Sequence, residues 1–290
     1  MNLSVIIIAF KSDHLLDKLI KSFPKKFQII IIENSRNIKI KKKIEKKFKN
    51  TKVIIPSKNL GYAAAANLGI KNCKNKFVTI ATPDISISLN VIFKFSKLLD
   101  KFSNFSIITG VYKNQKIHRN YVLKKEKNTK ELKIGKLNLK EVNDIDGCFL
   151  ILNKLTFNTN KIFDDNFFMY FENTDLCRRL RLKNKKMYIV DNLKFSHKGT
   201  NSSFKKHEIE ILKNRNWHYS WSKFYYMKKH HNYFYALKKV APNLFKATVG
   251  YFQAVIASDK KHIITHKGTI FGILNAITLR KSLLRPITSK

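Results

Sequence analysis

Acidic side chains are scarce in this chain: 19 Asp and Glu stand against 58 Lys and Arg, a formal net charge of +39 over 290 residues. Arginine is scarce within that excess, at eight residues, so the charge is lysine charge, less suited than arginine to bidentate recognition of phosphates or bases. The excess admits three readings: compositional bias, attraction to an anionic membrane surface or anionic substrate, and nucleic-acid binding. Nucleic acid, motivated by charge alone, is not expected as a partner. Cysteine numbers three (Cys73, Cys148, Cys177), widely spaced and without a CxxC pair. That excludes a disulfide framework and a cysteine zinc site, and fits a reducing, cytoplasmic compartment. No apolar run reaches the roughly 18 residues a transmembrane helix needs. The opening MNLSVIIIAF lacks the basic leader and cleavage site of a signal peptide; it reads as a buried strand. Internal repeats are absent.

What is present is core material. Hydrophobic residues make up 44% and aromatics 12%, enough for one large domain or one domain with an appendage. Through residue 112 short β-branched runs alternate with helical spacing. Strands are expected at 3–10, 28–32, 52–55, 77–81 and 107–112, with helices at 13–22, 38–48, 61–71 and 91–99. Such alternation predicts an α/β fold with a mainly parallel sheet flanked by helices. Residues 113–140 are lysine-rich and read as a solvated linker. Residues 146–152 and 187–190 return to strand character. From about residue 204 the chain turns helical, with a basic-aromatic patch at 217–231 (WHYSWSKFYYMKKHH) and moderately apolar stretches at 243–258 and 263–279. These are long enough to lie in a membrane surface or to pack on the preceding domain.

Ligands of parallel α/β sheets bind beyond the carboxyl ends of the strands. Glu33, Asn59 and Asp84 fall at or just after such ends. A carboxylate placed as Asp84 is can hold a hard divalent cation or cap a turn. Gly61 opens an Ala-rich helix at a tight turn, where a small residue permits close approach. Residues 167–181 (FFMYFENTDLCRRLR) place Glu172 and Asp175 three apart on an opening helix, followed by Arg178, Arg179 and Arg181. This reads as a helix with charges matched to its dipole, or as a general base beside a phosphate-facing cationic turn. His197 follows the next strand, as a structural residue or a ligand of metal or diphosphate.

Taken in order, SVIIIAFKS (4–12), ENS (33–35), NLGYAAAAN (59–67), TPD (82–84), DGCFLILNK (146–154), FFMYFENTDLCRRLR (167–181) and HKGTNSS (197–203) resemble family 2 glycosyltransferases, especially a bacterial rhamnosyltransferase-like branch. The resemblance covers about the first 203 residues and implies a GT-A domain at 1–203, with a helical, basic-aromatic segment at 204–290. It implies that Ala9, Phe10, Glu33, Asn59, Gly61, Asn67 and Asp84 serve the nucleotide-sugar donor. Gly147, Cys148 and Arg179 would stand on the acceptor side, with Glu172 and Asp175 as catalytic carboxylates. Asp84 and His197 would hold a divalent metal, Mg2+ or Mn2+.

The expectation is an inverting transferase. It would move a sugar from a nucleoside-diphosphate sugar, dTDP-rhamnose being the donor that resemblance to the branch suggests, to a surface-polysaccharide or lipid-linked glycan acceptor. Its place would be the cytoplasm, at the inner face of the cytoplasmic membrane. One departure stands out: the family commonly has Glu-Asp where this chain has Glu172-Asn173, and an amide is no base. That substitution also leaves open a degenerate module that binds nucleotide or glycan without turnover.

Overall fold

The computed structural model describes residues 3–114, 119–124, 131–199, 208–282 and 284–286. Its N-terminal half is parallel. Strand β1 (Leu3–Ala9) lies between β2 (Gln28–Glu33) and β4 (Phe77–Ala81), and β3 (Thr51–Ile54) pairs on the far side of β2. These strands are nearly continuous apolar runs because both of their faces are covered. Val5, Ile7, Ile29 and Ile31 enter a core shared with α1 (Asp13–Lys21), α2 (Ile38–Lys47) and α4 (Leu89–Lys101). The alternate residues Ile6, Ile8, Ile30 and Ile32 enter a second core, with α3 (Ala63–Asn72) and α5 (Glu172–Leu182).

Beyond β4 the sheet becomes mixed. β10 (Phe149–Asn153) runs antiparallel between β4 and β6 (Ile107–Tyr112), and β11 (Met187–His197) runs parallel to β6. The order β3-β2-β1-β4-β10-β6-β11 places the reversal of strand succession between β1 and β4. Open α/β sheets form their ligand crevice at such a point, beyond the carboxyl ends of the strands.

The stretch read as a linker is not all linker. Its described part holds β7 (Tyr121–Leu123), β8 (Leu132–Ile134) and the start of β9 (Leu137–Ile145), antiparallel ribbons at the sheet edge. Residues 115–118 and 125–130 of that stretch, and 200–203 of the HKGTNSS element, lie outside the described residues.

Three helices complete the chain: α6 (Glu208–His230), α7 (Tyr233–Ile256) and α8 (Lys260–Ile277). They share a core of Trp217, Trp221, Phe224, Ala236, Val240, Ile273 and Ala276. Helix α7 begins ten residues before the expected start at 243, because it runs through Pro242, a residue that ordinarily marks a helix boundary. No described helix is long and apolar enough to cross a membrane.

Candidate active site

A cavity of about 720 Å³ opens at the crevice between β1 and β4. On the β1 side it is lined by Ile8, Phe10, Asn34, Asn59 and Gly61, and on the β4 side by Thr82, Pro83 and Asp84. Asn34 organises the first wall: its Nδ2 donates to the Gly61 carbonyl (3.0 Å) and its Oδ1 accepts the Leu60 N–H (3.1 Å). Asn59 Oδ1 accepts the Gly61 N–H at 2.9 Å. Gly61 has φ +73°, and a Cβ there would stand 2.1 Å from the Phe168 carbonyl oxygen. Only glycine lets this turn meet the 167–181 segment so closely.

Three residues assigned to the donor side lie elsewhere. Glu33 is fully buried and caps its own turn, one oxygen accepting from Ser35 and the other from the Asn37 N–H at 2.6 Å. Ala9 contributes a carbonyl to the Asn34 N–H (2.8 Å). Asn67 staples α3 to the Phe163 backbone, donating at 2.8 Å and accepting at 3.0 Å.

Asp84 and His197 are 113 positions apart in sequence and meet because the short strand β5 (Ile85–Ser86) pairs with the end of β11, His197 opposite Ile85. His197 Nε2 lies 3.2 Å from Asp84 Oδ2, and the Asp84 side chain is 3% exposed. Asp84 Oδ1 is buried with no hydrogen-bond partner among the described residues. Tyr112 braces the other side of the histidine, its hydroxyl 3.1 Å from His197 Nδ1, 3.0 Å from Cys148 Sγ and 3.2 Å from Asp146 Oδ2. Burial raises both the Tyr112 phenol and the Cys148 thiol well above their ordinary values, so Cys148 is a neutral wall of the cavity. No group of three potential metal ligands occurs among the described residues. A carboxylate with one unpartnered buried oxygen beside an imidazole nitrogen fits a hard divalent cation that takes its remaining ligands from phosphate and water.

The third wall is the start of α5. Tyr170 and Phe171 have φ +69° and +65°, consecutive left-handed residues of the strained kind that cluster at functional sites. Glu172 follows as the first residue of the helix. It lines the cavity, its Oε2 has no partner among the described residues, and burial pushes its carboxyl up to about 7. Asn173, beside it, donates its amide to the Ile145 carbonyl at 2.8 Å, a bond an aspartate there would be unable to make. Gly147 faces Tyr62, whose hydroxyl donates to the Gly147 carbonyl.

Asp175 does not share the cavity. It is fully buried, with Oδ1 2.7 Å from both His230 Nε2 and Lys229 Nζ, and Oδ2 2.7 Å from Arg179 Nε. The arginines are taken up by backbone carbonyls: Arg179 on Ile162 (2.8 Å), Arg178 on His230 (3.2 Å) and Arg181 on Asn143. The segment is thus divided, with Glu172 toward the cavity and Asp175 toward α6. Helix α6 closes the cavity with Asn214, Arg215 and Tyr219, and Arg215 Nε reaches the Tyr170 hydroxyl at 3.0 Å. Sequence reasoning passed over Asn34, Tyr62, Tyr112 and Arg215. No sequence signal singled out Arg215, since rarity marks all eight arginines alike.

Residues 4–158, just over half of the chain, match the family described as Glycosyl transferase family 2. The low-salt glycan biosynthesis hexosyltransferase Agl10 of Haloferax volcanii is 24% identical over 199 residues, 63% of this chain and 62% of that protein. The chain therefore aligns with less than two thirds of that relative's length. Among solved structures, the mannosyltransferase PcManGT of Pyrobaculum calidifontis, in complex with GDP-Man and Mn2+, superposes with a TM-score of 0.55 at 11% identity. That match covers 95% of this chain and 87% of that one. TarS (residues 1–349) of S. aureus, in complex with UDP, gives 0.51 at 12% identity, covering 97% and 92%. The architecture is the GT-A fold, and the chain belongs to glycosyl transferase family 2.

Proposed function

We propose that this protein transfers a sugar from a nucleoside-diphosphate sugar to a hydroxyl of a surface-polysaccharide or lipid-linked glycan acceptor, with inversion at the anomeric carbon. The observation that carries the reading is Glu172: a cavity-lining carboxyl with one unpartnered oxygen, poised near pH 7 in the same cavity as Asp84 and His197. A base of that strength is matched to taking a proton from an alcohol at neutral pH. Glu172 accepts the acceptor's hydroxyl proton as the oxygen bonds to the anomeric carbon. The bond from that carbon to the diphosphate breaks and its electron pair leaves with the nucleoside diphosphate.

Asp84 and His197 are the residues that would hold Mg2+ or Mn2+, whose charge offsets that of the departing diphosphate. The wall built by Phe10, Asn34, Asn59 and Gly61 is the donor side. Gly147, Cys148 and the α6 residues Asn214 and Arg215 are the acceptor side. The proposed place of work is the inner face of the cytoplasmic membrane. The resemblance to rhamnosyltransferases makes dTDP-rhamnose the first donor to try.

The test is a transfer and donor-hydrolysis panel with UDP-, GDP- and dTDP-sugars, with and without Mg2+ or Mn2+. Turnover of one donor class, lost on chelation, is expected. Nucleotide-sugar binding with no turnover of any donor would instead favour the non-catalytic module.

A further inference from the structure

Helix α7 has two apolar faces, and the protein uses one of them. Ala236, Val240, Ala247 and Ala254 are buried against the neighbouring helices. On the opposite side Phe234, Phe245, Phe252 and Ile256 are 79%, 74%, 61% and 85% exposed. At 100° per residue these four fall within about 40° of one another. The stripe they draw is about 33 Å long at 1.5 Å per residue. Large side chains this exposed, aligned along one helix, mark an interaction surface.

We infer that this face of α7 docks on an anionic lipid surface, with the helix lying in the plane of the headgroups. The charge around it selects that partner. Lys238, Lys239 and Lys246 on α7 and Lys260, Lys261 and Lys267 on α8 are all exposed, and neither helix contains an Asp or Glu. The single acidic residue between residues 232 and 282 is Asp259, and its carboxylate is spent on the Lys261 and His262 N–H groups and the His262 ring. A second copy of the chain would set lysines against lysines across a two-fold interface. An anionic lipid surface attracts them while phenylalanines enter the acyl boundary, as in interfacial amphipathic helices.

This deepens the membrane location given above, and it assigns separate tasks to the C-terminal helices. Helix α6 closes the cavity, and α7 offers the outward face.

The full chain is sedimented with vesicles of neutral phosphatidylcholine and with vesicles containing phosphatidylglycerol. Binding to the second kind, weakened by salt, is expected. The variant Phe245→Ser/Phe252→Ser/Ile256→Ser is expected to bind at least about tenfold more weakly, since burying one such side chain is itself worth about tenfold. Leu155→Ser, at a 73% exposed site in the turn that follows β10, should bind like the parent. Far-UV circular dichroism and turnover of a soluble acceptor report folding, and the single Phe252→Ser variant gives a second, milder reading. The inference is overturned if the parent ignores anionic vesicles, if the triple variant binds them as the parent does, or if the parent is a dimer that the triple variant dissociates. Vesicle binding needs no donor and soluble-acceptor turnover needs no vesicle, so failure of this inference and failure of the transferase reading are told apart.

Discussion

Glu172 and Asp175 are three residues apart on one helix and meet opposite fates. Glu172 has an ordinary carboxyl value of 4.5 and a folded one of about 7, because burial disfavours its charge. Between those values the folded state binds more protons than the unfolded one, so stability falls as pH rises through that window. Above it the ionised group costs the fold roughly 3 kcal/mol. Glu172→Gln keeps the shape and removes the charge. Its Tm is expected to exceed the parent's at about pH 8 and to equal it at about pH 4, where both side chains are neutral; calorimetry at the two pH values checks this. Asp175 is the reverse case, a buried charge that two cations, Arg179 and Lys229, compensate while the His230 ring adds a hydrogen bond. Asp175→Asn is expected to cost about 3 kcal/mol in urea unfolding, the low end for removing one partner of a buried ion pair, because Arg179 and Lys229 keep some access to water.

At the scale of elements, the turn at Gly61 and the segment entering α5 are one unit. The Tyr62 N–H donates to the Phe168 carbonyl at 2.7 Å, and Gly61 packs on the same group. Gly61→Ala would press a methyl onto that carbonyl at a φ L-residues avoid. A loss of at least about 2 kcal/mol is expected, with a fall in kcat/KM because Phe168 sits four residues before Glu172; thermal melts and steady-state rates together check both.

The parallel strands at this level were legible in the sequence, since continuous Ile-Val runs between helical patterns allow few alternatives. The ribbons β7 to β9 were not, because β7 and β8 are three residues long and β9 buries every third residue (Leu139, Val142, Ile145) in place of every second. Asp84, Glu172 and His197, singled out in the sequence by position, line the cavity. The diversion of Glu33, Asn67, Asp175 and Arg179 to structural bonds was not legible. A sequence shows where a carboxylate or amide falls, but not that Lys229 and His230, more than fifty residues later, will claim it.

At the scale of the whole molecule, three walls from distant parts of the chain meet in one cavity: the β1–β4 crevice, the strained start of α5, and α6. The ion pairs of Asp175 and the bond from Lys229 to Asp164 (2.7 Å) hold α6 against the sheet-bearing part of the chain. The cavity is therefore finished by a segment beyond the matched residues 4–158. The proposed transfer in that cavity stands or falls on Glu172 as its base. The pH dependence of kcat/KM, measured with the donor the panel selects on the parent and on Glu172→Gln, tests it most directly. A parent rate that falls on the acid side with a midpoint near pH 7 is expected, with a variant slowed about 10²- to 10⁴-fold and lacking that limb. A Glu172→Gln enzyme that turns over at the parent's rate, with the same acid limb, would contradict it.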